Sequence, residues 1–155
     1  MDVITSHQNA DFDTFASMIA ARRLYPGALL VFSGSLEKDL RDAIGSFDLP
    51  CRFDSIKDID MDKVSRLVIV DARQAGRIGR FADIIGRAGV EVHIYDHHPR
   101  SDGDIQGAVE FIRPYGSTTT VITLILREKS VEITPQEATI FMTGIYEDTG
   151  FLSYP

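Results

Sequence analysis

The stretch Leu67-Val68-Ile69-Val70-Asp71 decides the architecture. An unbroken apolar run rich in β-branched residues reads as a strand buried on both faces, because a strand with one wet face would alternate apolar with polar. A carboxylate ends the run. Residues 79–88 read as the helix that follows, and residues 90–95 as the next strand, which stops at Asp96-His97-His98-Pro99. Upstream, residues 2–6 read as a first strand. Phe12–Leu24 reads as a helix, with Phe15, Met18, Ile19 and Ala20 at helical spacing and Pro26-Gly27 as its stop. Residues 28–32 read as a second strand, 35–44 as a second helix with Ser35 at its N-cap, and 51–54 as a short strand. Residues 108–112 read as a further short strand, and residues 118–127 and 135–146 as closing helices. This alternation predicts an α/β fold. Residues 1–155 are expected to form one domain, a parallel sheet with helices on both faces.

Bulk composition narrows the function. The chain has 155 residues, 44% hydrophobic and 25% charged, with a formal net charge of -7. That sign argues against a glove for nucleic-acid backbones, which Lys and Arg bind. The argument weakens if carboxylates hold cations, since two divalent ions offset about four charges. The single cysteine, Cys51, excludes an internal disulfide and fits a reducing, cytoplasmic setting. No signal peptide is visible, and the apolar runs are too short to span a bilayer, so no membrane role is expected. A dinucleotide site would need a Gly-rich loop after the first strand, where His7–Asp13 stands instead.

Sites in open parallel sheets form at the C-terminal ends of strands. Past the first strand come His7, Asp11 and Asp13. Past the 67–71 run comes Asp71, and past residues 90–95 come Asp96, His97 and His98. Asp148 follows the last helix. Crowded carboxylates repel one another unless cations intervene. Mixed imidazole and carboxylate donors suit manganese, with cobalt, iron or zinc also accommodated; an all-oxygen set would have favoured magnesium. Other assignments are blander. Asp71 could cap a helix, and Asp148 could be a turn residue. His93 reads as packing within its strand. Gly116–Thr120 reads equally as simple capping or as a phosphate cradle at a helix end. Arg73 and Arg77 read as solvated or as reaching substrate phosphate.

In this order, the motifs resemble those of the DHH phosphoesterase superfamily, which includes RecJ-type exonucleases, oligoribonucleases, cyclic-dinucleotide phosphodiesterases and family II inorganic pyrophosphatases. Its His-x-x-x-Asp-x-Asp motif is matched by His7, Asp11 and Asp13, its strand-ending Asp by Asp71, its Asp-His-His by Asp96, His97 and His98, and its Asp-Thr pair by Asp148-Thr149. The resemblance implies two divalent metal ions, manganese foremost and magnesium or cobalt as alternatives. His7, Asp11 and Asp71 would hold one. Asp13, Asp71 and His97 would hold the other, with Asp148 completing the set and Asp71 bridging. His98 would face the substrate phosphate or leaving group, and Asp96 would orient the histidines. The reaction implied is phosphoester hydrolysis by a metal-bridged hydroxide on a nucleotide, oligonucleotide or tRNA end. Two departures stand out: Ala10 where the family often has Pro, and Ala16-Ser17 where it often has Gly-Ser. Family members usually carry a smaller C-terminal substrate domain, expected to be absent here. The wording of the first motif and Asp71-Ala72-Arg73-Gln74 also resemble a group in which this module precedes CBS domains and a tRNA nucleotidyltransferase or poly(A)-polymerase-like region. In that case the domain would be a metal- or nucleotide-binding regulatory module.

Overall fold

The computed structural model describes residues 1–154. Strands β1 (Asp2–Thr5), β2 (Leu29–Leu30), β3 (Arg66–Val70), β4 (Glu91–Asp96) and β5 (Val109–Ile112) form one parallel sheet in the order β2-β1-β3-β4-β5. Four α-helices accompany it: α1 (Phe12–Leu24), α2 (Lys38–Ala43), α3 (Thr118–Glu128) and α4 (Pro135–Asp148).

Successive side chains of a strand point to opposite faces, and the apolar strands use both. Ile4, Leu30, Val68, Val70 and Tyr95 pack with α1, α3 and α4 in one core. Val3, Val31, Leu67, Ile69, Val92 and Ile94 pack with Ile78, Phe81, Ile84 and Ile105 in the other. Each fully buried side chain of this size contributes about 1.5–3 kcal/mol. This double coverage is why β3 reads as a continuous apolar run.

Three segments differ from the expectation. The helix expected over 79–88 is a 3-10 helix over Gly79–Ile84. Ile78, just before it, and its own Phe81 and Ile84 are buried at every third position, which aligns on a 3-10 rather than an α-helix. Gly79 at φ 55 and Gly86 at φ 77 bracket it in left-handed backbone, which ends regular α-structure. The helix expected from residue 35 begins only at Lys38, and Ser35 does not cap it. The carbonyl of Ser35 instead accepts from Ala10 N at 2.9 Å, and Glu37 N donates to Ala10 O at 2.8 Å, so this segment is committed to holding the loop after β1. Residues 51–54 contribute only an isolated bridge, Leu30 to Phe53.

Strand order sets the location of the site. From β1 the chain goes to β2 on one side, then crosses to β3 on the other. Connections leave β1 and β3 in opposite directions, and the crevice at that switch point is open to ligands. Helix α4 reaches the same rim because Gly144 lets it lie against α1. A Cβ there would meet the Ala16 Cβ at 2.8 Å, the Phe12 carbonyl oxygen at 2.9 Å and the Asp13 Cα at 3.1 Å. Gly144→Ala is therefore expected to cost about 1–3 kcal/mol in chemical unfolding, since backbone atoms cannot yield to the added methyl. A variant as stable as the parent would show that α4 does not rest on α1 this closely.

Candidate metal centre

The loop after β1 is pinned before any ligand enters. Gln8 N donates to the Arg77 carbonyl at 2.7 Å, and Asn9 takes left-handed backbone at φ 59. The loop runs into Asp11, which caps α1 by accepting from Thr14 N at 2.9 Å. Its other oxygen lies 3.6 Å from His7 Nε2. The buried His7 ring places Nδ1 2.7 Å from the Gln8 carbonyl, which fixes Nδ1 as the donor and aims Nε2 at Asp71 Oδ2, 3.3 Å away.

Asp71 follows directly on β3 with φ 56, a region that Asp tolerates and β-branched residues do not. Its backbone N still donates to the Tyr95 carbonyl at 2.9 Å, so the turn stays tied to β4. The hydroxyls of Thr14 and Thr118 donate to its two carboxylate oxygens, each at 2.9 Å. Asp13 is buried on the first turn of α1. Its oxygens accept from Thr118 N at 2.8 Å and Thr119 N at 2.9 Å, the free donors at the start of α3. Ser117 caps that helix by accepting from Thr120 N. The amides of Thr118 and Thr119 are therefore taken by the protein's own carboxylate.

Beyond β4, buried Asp96 accepts from His97 N at 2.8 Å and from His98 N at 3.2 Å, with His98 Nδ1 2.7 Å from the same oxygen. Its second oxygen pairs with Arg73 Nε at 2.8 Å. Arg73 also donates to the His98 carbonyl at 2.9 Å, so it neither floats in solvent nor reaches outward: it clamps the Asp-His-His turn. The His97 ring is oriented not by Asp96 but by the Tyr115 carbonyl, 2.9 Å from Nδ1. Its Nε2 lies 3.2 Å from Asp148 Oδ2 and 3.7 Å from Asp71 Oδ1. Asp148 is the last residue of α4 rather than part of the turn beyond it.

Donor atoms thus gather in three groups, each within 4.8 Å: His7, Asp11 and Asp71; Asp13, His97 and Asp148; Asp71, His97 and His98. All the residues singled out for metal binding are brought to one rim, and Asp71 belongs to two groups. The donor chemistry fits cations. His97 Nε2 and Asp148 Oδ2 are both buried with no hydrogen-bond partner, and with Nδ1–H committed to Tyr115 O, that Nε2 presents a lone pair.

Burial, then the Asp71 charge, pushes the Asp13 carboxyl well above its ordinary range, and burial raises Asp148 likewise. Glu147, beside them, rises to about 7 through burial and then repulsion from Asp11 and Asp148. Burial works against charge on His7, but Asp11, Asp71 and the Gln8 carbonyl outweigh it and lift the imidazole to about 10.

Three groups of this site carry no motif of their own. Thr14 and Thr118 hold Asp71, and the Tyr115 carbonyl holds His97. A hydroxyl one turn into α1, beside Asp11 and Asp13, was the one signal available for Thr14. His93 does not approach the site: it packs on the Tyr25 ring, with Nδ1 2.6 Å from that hydroxyl, and pairs with Glu91.

Together these features define an α/β domain whose strand ends, with the end of α4, bring together donors that could hold a metal ion. The chain belongs to the DHH family: the model of the family's N-terminal domain matches residues 3–145. It is 53% identical over 158 aligned residues to the A-adding tRNA nucleotidyltransferase of Geobacter sulfurreducens, an alignment covering 100% of this chain and 18% of that protein. It is 25% identical to a probable manganese-dependent inorganic pyrophosphatase of Staphylococcus aureus, covering 98% of this chain and 49% of that one. The structure of an exopolyphosphatase-related protein of Bacteroides fragilis matches with a TM-score of 0.74 at 20% identity, over 99% of this chain and 47% of that chain. The chain therefore spans about a fifth of the nucleotidyltransferase and about half of the others.

The titrations give a sign for stability against pH. Without metal, folded Glu147 keeps a proton from its ordinary 4.5 up to about 7, and folded His7 from 6.5 up to about 10. In both windows the folded chain binds more protons than the unfolded one, so stability falls as pH rises. Melting in chelator is expected at lower temperature at about pH 9 than at about pH 5, with manganese raising the midpoint more at the higher pH, since cations displace those protons. A metal-free midpoint that climbs over this range would contradict the assignment.

Proposed function

We propose that residues 1–155 form a catalytic domain that holds two divalent cations, manganese being the best suited, and hydrolyses a phosphoester or phosphoanhydride of a nucleotide, oligonucleotide or related polyanion. The observation that carries the reading is the Asp71 carboxylate, which belongs to two donor groups, one with His7 and Asp11 and one with His97 and His98. His7, Asp11 and Asp71 would hold one cation, and Asp13, Asp71, His97 and Asp148 the other. Imidazole beside carboxylate favours manganese or cobalt over magnesium. A bound pair supplies positive charge at the scissile phosphate and acidifies the attacking water.

The protein's own part is positioning and one proton. Thr14 and Thr118 fix the plane of Asp71, and the start of α3 fixes Asp13. His98 stands exposed at the mouth, its Nδ1 against Asp96. That carboxylate raises the imidazole above its ordinary value and so favours the ring that carries a proton on both nitrogens. His98 is the group placed to bind a phosphate oxygen and to protonate the leaving oxygen.

A second reading has its own support, because the 53% match runs along the entire chain to a tRNA nucleotidyltransferase. The domain would then bind metal and nucleotide as a regulatory module for a fused RNA-modifying enzyme. The two readings part on turnover: the second expects nucleotide binding with hydrolysis no faster than manganese alone.

Two variants test the catalytic reading. Asp71→Asn keeps the left-handed backbone accessible and is expected to abolish manganese-dependent phosphate release together with one bound cation. His98→Gln is expected to lower turnover about 10²–10⁴-fold on substrates with poor leaving groups, and far less on nitrophenyl esters, with metal stoichiometry unchanged. Full activity in Asp71→Asn, or an equal loss on both substrate types in His98→Gln, would count against these roles.

A further inference from the structure

A crevice of about 280 Å³ opens between the loop after β3 and the loop after β4, lined by Gln74, Arg77, His98, Arg100 and Ser101. Its floor is a buried ion network in which Arg73 joins Asp96 at 2.8 Å and Asp104 at 3.5 Å. Its rim is tied across by Gln74 Nε2 to Ser101 Oγ at 3.3 Å. The crevice shares His98 with the Asp71–His97–His98 donor group, so it adjoins the candidate metal centre.

The three arginines here differ in what they do. Arg73 is consumed by the floor, and Arg100 pairs with Glu110 at 2.8 Å. Among the described residues, Arg77 has no partner for its guanidinium, which is exposed. Its backbone is nevertheless fixed from both sides: its N donates to the Gln74 carbonyl at 2.9 Å, and its carbonyl accepts from Gln8 N at 2.7 Å. A free cation on a pinned backbone, beside His98 in a chain of net charge -7, offers an anion a place that the carboxylate-rich rim does not.

We infer that this crevice is the subsite for a second phosphoryl group of the substrate, beyond the scissile one, and that Arg77 is its specificity-determining residue. The inference rests on the catalytic site proposed above. The second phosphate could belong to a P–O–P anhydride or to the far end of a nucleotide. Both offer the paired oxygens that a guanidinium binds in bidentate fashion.

Binding tests this without requiring turnover. Manganese-loaded protein would be titrated calorimetrically with inorganic phosphate, imidodiphosphate and adenosine 3′,5′-bisphosphate. At least one bisphosphate should bind about tenfold or more tighter than phosphate. Tighter imidodiphosphate points to an anhydride neighbour, and tighter adenosine 3′,5′-bisphosphate to a nucleotide's second phosphate. Arg77→Gln should erase that advantage and leave the affinity for phosphate unchanged, and Arg77→Lys should restore part of it. Bisphosphates no tighter than phosphate, an Arg77→Gln variant that keeps the advantage, or one that weakens all three ligands equally would each overturn the inference. Failure of hydrolysis alone would touch only the catalytic reading.

Discussion

Asp71 carries the arrangement. Its carboxylate lies at the end of the central strand, at the point where the chain's connections diverge, and faces donors delivered by the loop after β1 and the turn after β4. Such a buried concentration of negative charge is costly in the folded protein alone, and the rise of the Asp13 and Asp148 titrations expresses that cost. The surrounding structure spends hydroxyls, helix amides and a left-handed backbone to keep Asp71 and Asp13 oriented there. A fold built only for its own stability would gain from an apolar rim at this place.

The supports form two layers that do not overlap. Helix α1 brings Asp11 and Asp13 on one turn, and it holds α3 through Asp13 and α4 through the contact at Gly144. The Asp-His-His turn is held from beneath by Arg73, which ties the loop after β3 to the loop after β4. Gly144 and Arg73 thus reach the site through its neighbours: Gly144 lies against Asp13, and Arg73 holds the turn that carries His97 and His98.

The sheet, the strand ends and the rim were legible in the sequence because each rests on local pattern: apolar runs buried on both faces, and carboxylates or histidines placed directly after them. Helix Phe12–Leu24 shows the same legibility, with its apolar spacing and its Pro-Gly stop. The second face was less legible. Residues 78–84 bury apolar side chains at every third position, a spacing that suits a 3-10 helix, and left-handed glycines end regular α-structure there. Ser35 resembles a cap, but its carbonyl is committed to Ala10, a long-range bond that no local pattern reports. The orienting groups escaped for the same reason. The Tyr115 carbonyl and the Thr118 hydroxyl reach the site only because α3 docks on α1, and a backbone carbonyl has no signature in a sequence at all.

Catalysis as proposed requires one carboxylate shared by two cations. Anomalous scattering from crystals soaked in manganese measures this directly. Two peaks about 3.5–4 Å apart, with the Asp71 carboxylate between them and His7 and His97 on opposite sides, are the predicted result. A single peak, or peaks that bypass Asp71, would contradict it.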